Sequence, residues 1–302
     1  MSNTDFLRIW MIVPVAATLF VLNGCSGGGD SLAGVGSGGT GNISGFAIKG
    51  PMGNATVNAY GISSGQIGAQ IATATTAADG AFSLSIGSYA GPVMLQVSGG
   101  SYTDEATGIV MPMAPGDVMT AVLPTVAAGA NTSGIQVTPV TAMAQAMAQH
   151  MTAGLTDANI AAANTAMGNY FSVSDILYVR PMNPLVAGSG VGASQDAQNY
   201  GMTLAAMSQS ARTLGLNTSS TMVTAMMNDA ADGILNGRNG TGQISMPMGG
   251  MMGASPLSSA AGTTGLVTAM TAFMNSNGNV SGLTFADMAA LMNRLNSSNG
   301  GI

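Results

Sequence analysis

Polar and apolar positions change their rhythm several times along this chain. After Arg8, a predominantly apolar run covers residues 9–22. It is shorter than the roughly 20 residues a membrane-crossing helix needs. Residues 26–42 are almost wholly Gly, Ser and other small residues, a composition without a core, read as a flexible tether. Fully extended, such a tether reaches on the order of 50 Å. Gly34-Val-Gly-Ser-Gly-Gly39 matches the dinucleotide-binding glycine pattern in form. No strand precedes it and no helix follows it, so it reads as linker.

From residue 43 the period is two. Residues 44–48, 55–60, 69–75, 81–86, 93–97 and 118–123 are short β-branched or alternating runs. Gly50-Pro51, Gly53-Asn54, Ser64-Gly65, Asp79-Gly80 and Gly91-Pro92 punctuate them. Strands at this spacing predict a small antiparallel β-sandwich over 43–130. From Thr138 the period becomes 3.6. Val140, Met143, Met147, His150 and Met151 share about a 100° arc, the width of a buried helical stripe. Thr156 and Ser194 stand as N-caps of two further helices, and residues 218–236, 256–275 and 284–296 supply three more. The expectation is a multidomain β + α chain: a β-sandwich, then an all-α helical domain over 138–298, with a Met/Gly-rich loop at 237–255.

The apolar run ends in Leu22-Asn-Gly-Cys25-Ser26, and Cys25 is the chain's only cysteine. This resembles a bacterial lipoprotein signal. The resemblance implies that residues 1–24 are removed, that Cys25 becomes the lipidated (palmitate-bearing) first residue, and that residues 25–42 form the tether. Ser26 in place of an aspartate fits the sorting of such proteins to the outer membrane. The implied partner is the membrane, through the N-terminal lipid, together with an envelope protein or extracellular partner; which membrane face is occupied stays open.

A second resemblance rests on Gly45-Phe-Ala-Ile-Lys-Gly-Pro-Met-Gly-Asn-Ala-Thr-Val-Asn-Ala-Tyr60 and the turn Thr76-Ala-Ala-Asp79-Gly80-Ala-Phe82-Ser-Leu84. These are similar to the carboxypeptidase-regulatory-like domain, a transthyretin-like β-sandwich. Val97-Ser-Gly-Gly-Ser-Tyr-Thr-Asp-Glu-Ala-Thr-Gly108, Val137-Thr-Pro-Val-Thr141 and Asp229-Ala-Ala-Asp-Gly-Ile-Leu-Asn-Gly237 resemble a class of uncharacterised bacterial lipoproteins. The resemblance implies a folding, spacing or binding module and brings no assigned chemistry with it.

Composition narrows the chemistry. Charged residues make up 6% of the chain, against roughly a quarter in ordinary proteins. Six basic residues and a net charge of −6 argue against nucleic acid as a partner. A lipidated Cys25 leaves no thiol for disulfides or thiolate metal sites. His150 is the only histidine; on the apolar stripe it reads as a packed, hydrogen-bonded structural residue rather than a catalytic base. The only glutamate, Glu105, adjoins Asp104, and sequence neighbours do not face each other across a glycoside. No zinc motif or phosphate loop is present. The expectation is therefore that the chain is not an enzyme, with no catalytic and no cofactor-binding residues.

Three residue sets remain. Asp104/Glu105 and Asp229, Asp232, Asn236 and Asn239 offer hard oxygen ligands for calcium, although turn stabilisation suits the second set better. Lys49, the only lysine, raises an intramolecular isopeptide bond, but Lys49-Gly50-Pro51 reads as a turn. Methionine is the oddity: there are 25, more than the leucines. Helical methionines pack cores tolerantly. Met111 and Met113, and Met246, Met248, Met251 and Met252, fall in loops and are candidate soft ligands for Cu(I) or Ag(I). Two function classes follow: an outer-membrane lipoprotein acting as a surface or periplasmic binding or scaffold module, and, alternatively, an envelope Cu(I)/Ag(I)-binding protein. A carbohydrate-binding sandwich ranks lower, because the chain beyond residue 24 has no tryptophan to stack on sugars.

Overall fold

The computed structural model describes residues 39–248 and 253–302. The apolar run, Cys25 and most of the tether lie outside them. Strands and helices belong to one compact unit, Gly38–Ile302. Its first half is β1 (Gly41–Ala47), β2 (Met52–Gly53), β3 (Thr56–Ser63), β4 (Gln66–Thr75), β5 (Ala81–Gly87), β6 (Gly91–Ser98), β7 (Ser101–Thr103), β8 (Val110–Pro112), β9 (Val118–Val126) and β10 (Asn131–Val137). Next come α1 (Pro139–His150), α2 (Asp157–Phe171), α3 (Gln195–Thr213) and α4 (Ser220–Ala230). Two small hairpins follow, β11 (Arg238–Asn239) with β12 (Gly242–Gln243) and β13 (Ser245–Pro247) with β14 (Ala254–Pro256), and then α5 (Thr264–Met274) and α6 (Phe285–Ser297).

Two sheets face each other. An antiparallel sheet runs β4-β3-β6-β9, and a second runs β10-β1-β5. Ile43, Leu84 and Ile135 from the second interdigitate with Val57, Val93, Leu95 and Leu123 from the first. The first sheet is covered on its other face too. There Ile62, Met94 and Val122 pack on Ala148, Leu155, Ile160 and Ala163 around α1 and α2. This double cover explains why Val93-Met94-Leu95 are all buried instead of alternating. A third, small sheet, β2-β7-β8, sits beside these two.

Two expectations need correction. Residues 131–137 carried no strand signal, yet β10 pairs with β1, and it does so in parallel, so the strand region is not purely antiparallel. Asn131-Thr-Ser-Gly134 is polar with a left-handed glycine (φ 80°); only Ile135-Gln136-Val137 is buried, which is too short a run to show as a strand. The 237–255 stretch is not a free loop either, since β11, β12 and β13 lie within it and β14 begins in it. The Thr138, Thr156 and Ser194 caps form as expected: Thr138 makes a reciprocal capping box with Thr141, and Thr156 and Ser194 accept from the N–H groups of Asn159 and Ala197. Helix α4 stops at Ala230, short of 236, because the Asp229 carboxylate captures the following backbone.

The parallel β1–β10 contact demands a residue without a side chain. A Cβ at Gly45 would lie 1.8 Å from the Ile135 carbonyl oxygen. Gly45→Ala forces two backbones apart, and we expect it to destabilise the unit by about 1–3 kcal/mol or more. Urea unfolding followed by circular dichroism reads this out. An unchanged midpoint would show that this pairing tolerates a side chain at position 45.

Candidate functional site

Lys49 follows β1 in a turn closed by the Ile48–Pro51 bridge. Gly50 takes φ 61°, and a Cβ there would meet the Thr103 carbonyl oxygen at 2.0 Å. The turn read from sequence is present, but it is pressed against β7, so its lysine is carried inward. Lys49 is 1% exposed. On the facing segment, β7 delivers Tyr102, and the residues just after it Asp104 and Glu105, into the same space, exposed by 1%, 2% and 2%.

The chain's only lysine and only glutamate are thus a buried pair. Lys49 Nζ donates to Glu105 Oε2 at 3.1 Å, lies 4.0 Å from Asp104 Oδ2, and stands 5.1 Å from the centre of the Tyr102 ring. The helices close the site. From α3, Ser208 hydrogen-bonds both Lys49 Nζ and Glu105 Oε2, the latter at 2.6 Å. At the start of α4, the Ser219 hydroxyl donates to Asp104 Oδ2 and lies 3.1 Å from the Tyr102 hydroxyl oxygen, which in turn accepts from Ser220 N–H at 3.1 Å. The helix N-terminus favours the carboxylate in front of it. Asp104 Oδ1 accepts from Ala106 N–H (3.1 Å), Thr107 N–H (3.0 Å) and the Thr107 hydroxyl (3.0 Å). Arg212 reaches over from α3 to the Ala106 carbonyl at 2.7 Å. A cavity of about 120 Å³ lined by Asp104, Ser208, Arg212 and Ser219 adjoins the cluster.

Sequence reasoning treated these residues separately because they are far apart in the chain. Lys49 and Glu105 are separated by 56 residues, and Glu105 and Ser208 by 103. The one available signal was composition: in a chain this poor in charge, a lone lysine and a lone glutamate invite pairing.

The other candidate residues scatter. Met246 alternates inward from β13 and is fully buried in the helical core, while Met248 is half-buried. Met113 packs into the core between the sheets, with Met111 against its edge. Met251 and Met252 lie outside the described residues, as does Cys25. Met246 and Met113 therefore fill separate apolar cores, so their sulfurs act as packing atoms. His150 is exposed at the end of α1, which corrects the packed histidine expected from the stripe; the buried part of that helix ends at Ala148.

Asp229 and Asp232 hold backbone. Asp229 Oδ1 accepts from the N–H groups of Asn236, Gly237 and Arg238 at 2.7–3.0 Å, and Asp232 accepts from Ile234 and Gly240. Among the described residues no group of three or more His, Cys, Asp or Glu side chains could hold a metal ion. An open cleft of about 700 Å³ lies where the β3–β4 turn meets the α1–α2 connection, lined in part by Ile62, Gln66, Met151, Leu155 and Asp157.

Two predictions follow from these charges. Lys49→Met strands Asp104 and Glu105 without their cation, and we expect a loss of about 3–5 kcal/mol in urea unfolding. Adding Glu105→Gln should restore part of it, whereas additive losses would deny the pairing. Burial pushes the Asp229 carboxyl up to about 6, with Asp232 adding to the shift and the three backbone N–H groups opposing it. Its folded form binds a proton more tightly than the unfolded chain does. Its contribution to stability is therefore full below the ordinary carboxylate range and falls as pH rises from about 4 to about 6. Asp229→Asn keeps the Oδ1 acceptor and should remove that slope from a series of melting curves between pH 4 and 7.

No family model matches the chain, and no curated protein matches it. Among solved structures it is similar to a 9R-lipoxygenase from Cyanothece PCC8801, with 8% identity over 68% of this chain and a TM-score of 0.21. The chain spans about a quarter (26%) of that enzyme's length. The expectation that the chain is not an enzyme is withdrawn, because it rested on missing motifs alone; the matched protein is itself an enzyme. At that TM-score the likeness carries no argument for a particular activity or fold.

Proposed function

We propose that this chain is an outer-membrane lipoprotein, acylated at Cys25 and held off the membrane by residues 26–42, whose compact unit acts as a binding or scaffold module of the cell envelope. The observation that carries it is the apolar run at 9–22 ending in Leu22-Asn-Gly-Cys25. Two features support it. Among the described residues no helix is long and apolar enough to cross a membrane, which is consistent with attachment through a lipid. The two facing sheets, with their Asp79-Gly80 turn between β4 and β5, suit the carboxypeptidase-regulatory-like resemblance and its role as a module. The open cleft between the β3–β4 turn and the α1–α2 connection offers one surface for a ligand.

Metabolic labelling with a palmitate analogue tests the anchor in a bacterial host. The wild-type chain should carry label and sediment with outer membrane, and Cys25→Ser should lose both. An unlabelled wild-type chain recovered from the cytosol would overturn the reading.

A further inference from the structure

The buried cluster contains the parts of a condensation reaction. Lys49 offers a primary amine, Asp104 a carboxyl group whose nearer oxygen is 4.0 Å from it, and Glu105 a second carboxylate 3.1 Å from the same nitrogen. All three are at most 2% exposed, so the amine is screened from bulk water. We propose that Lys49 and Asp104 form an intramolecular isopeptide bond, with Glu105 as the general base.

The hydrogen bonds assign the roles. Asp104 Oδ1 lies under three donors, the Ala106 and Thr107 N–H groups and the Thr107 hydroxyl. That arrangement stabilises negative charge on Oδ1 when the carbonyl carbon becomes tetrahedral. Oδ2 is the oxygen nearer the amine and accepts from the Ser219 hydroxyl, which marks it as the leaving oxygen. Glu105 touches the nitrogen and relays its protons, while Ser208 fixes the Glu105 carboxylate.

The balance is that of an amide condensation. The ammonium passes one proton, by way of the Glu105 carboxylate it touches, to the Asp104 carboxylate, giving a neutral amine and a neutral acid. The amine lone pair attacks the Asp104 Cγ, forming the C–N bond. Glu105 takes a proton from nitrogen and returns it to Oδ2, the C–O bond breaks, and one water leaves. No oxidant, reductant or cofactor enters. The adjoining cavity of about 120 Å³ exceeds the roughly 30 Å³ share of one water molecule. Fixed geometry substitutes for activation: the buried amine is held beside the Asp104 carboxyl, 4.0 Å from Oδ2, so its approach to Cγ needs no encounter through solvent.

This cluster also differs from an ordinary buried ion pair in its stoichiometry. One cation faces two carboxylates, so the pair alone leaves a carboxylate without a cation. Amide formation removes the ammonium and one carboxylate together. It leaves Glu105 hydrogen-bonded to Ser208 and beside the new amide N–H.

Because Lys49 is the only lysine, its amine reads out directly. Full-length protein purified from whole-cell lysate is denatured, treated with an amine-acylating reagent and mapped by mass spectrometry after proteolysis. The expected result is a branched peptide joining Lys49 to Asp104, lighter than its two linear parts by one water, with no label on Lys49. Linear peptides with a labelled Lys49, or a branch to Glu105, would overturn the proposal. Glu105→Gln should leave Lys49 free and labelled at full yield; a branch to Asp104 that persists there would overturn the role of Glu105. The wild-type map decides the cross-link whether or not that variant folds, and independently of acylation at Cys25.

Discussion

The contact between Lys49, Asp104 and Glu105 is where the two halves of this molecule are tied. Both acidic residues follow β7, and the lysine follows β1. Each partner is then claimed by a helix: Glu105 by Ser208 of α3, Asp104 by Ser219 at the head of α4. A buried charge removed from water gains only with good geometry and with its remaining lone pairs satisfied. Here Asp104 accepts from four groups and Glu105 from two. Separating the helices from the strands would strip the Ser208 and Ser219 hydroxyls from these carboxylates, so the cluster couples the two layers.

This constraint matters more because of what fills the rest of the interior. Met143, Met167, Met202, Met207, Met222, Met226, Met246, Met270 and Met288 all lie in the helical core. Methionine is unbranched and adapts its shape, so it excludes water well and specifies a unique packing poorly. Directional polar contacts must then fix the register. Thr138 meets the Tyr200 hydroxyl at 2.6 Å, and Tyr200 donates to the Ile176 carbonyl at 3.0 Å. Thr141 donates to the Thr120 carbonyl, and the Thr120 hydroxyl to Gln145, which sets α1 on β9. Asp117 accepts from Ser220 and Thr224 and sets α4 against the strands. Such short polar side chains at the seams do for this chain what shape-specific leucine and isoleucine packing does elsewhere.

The sequence made the period change at Thr138, the strand-rich first half and the capped helices visible, because each is written locally as alternation, a 3.6 repeat or a Thr or Ser before an apolar run. β10 stayed hidden because its pairing with β1 spans about ninety residues and its own first half is polar. His150 misled because periodicity places a residue on a face without saying where the neighbouring layer stops. The methionine loop misled for a related reason: Met246 is buried because β13 packs on the helical core, a long-range fact. The charged cluster was the least legible. Its members are separated by tens of residues, and Lys49-Gly50-Pro51 states a turn truthfully while concealing that β7 lies on top of it.

Low charge content and buried charge are connected in this protein. With 6% charged residues, the surface relies on neutral polar groups for its contact with water. Lysine and glutamate normally serve that surface, since both carry long, mobile side chains that cost entropy to bury. The lone lysine and the lone glutamate are instead inside, within hydrogen-bonding distance of each other. A surface role accounts for neither placement, and packing alone would be served by methionine, which this chain uses freely. What remains is a role that needs an amine and carboxylates in a dry, fixed geometry, either as an ionic tie between layers or as the precursor of a covalent one.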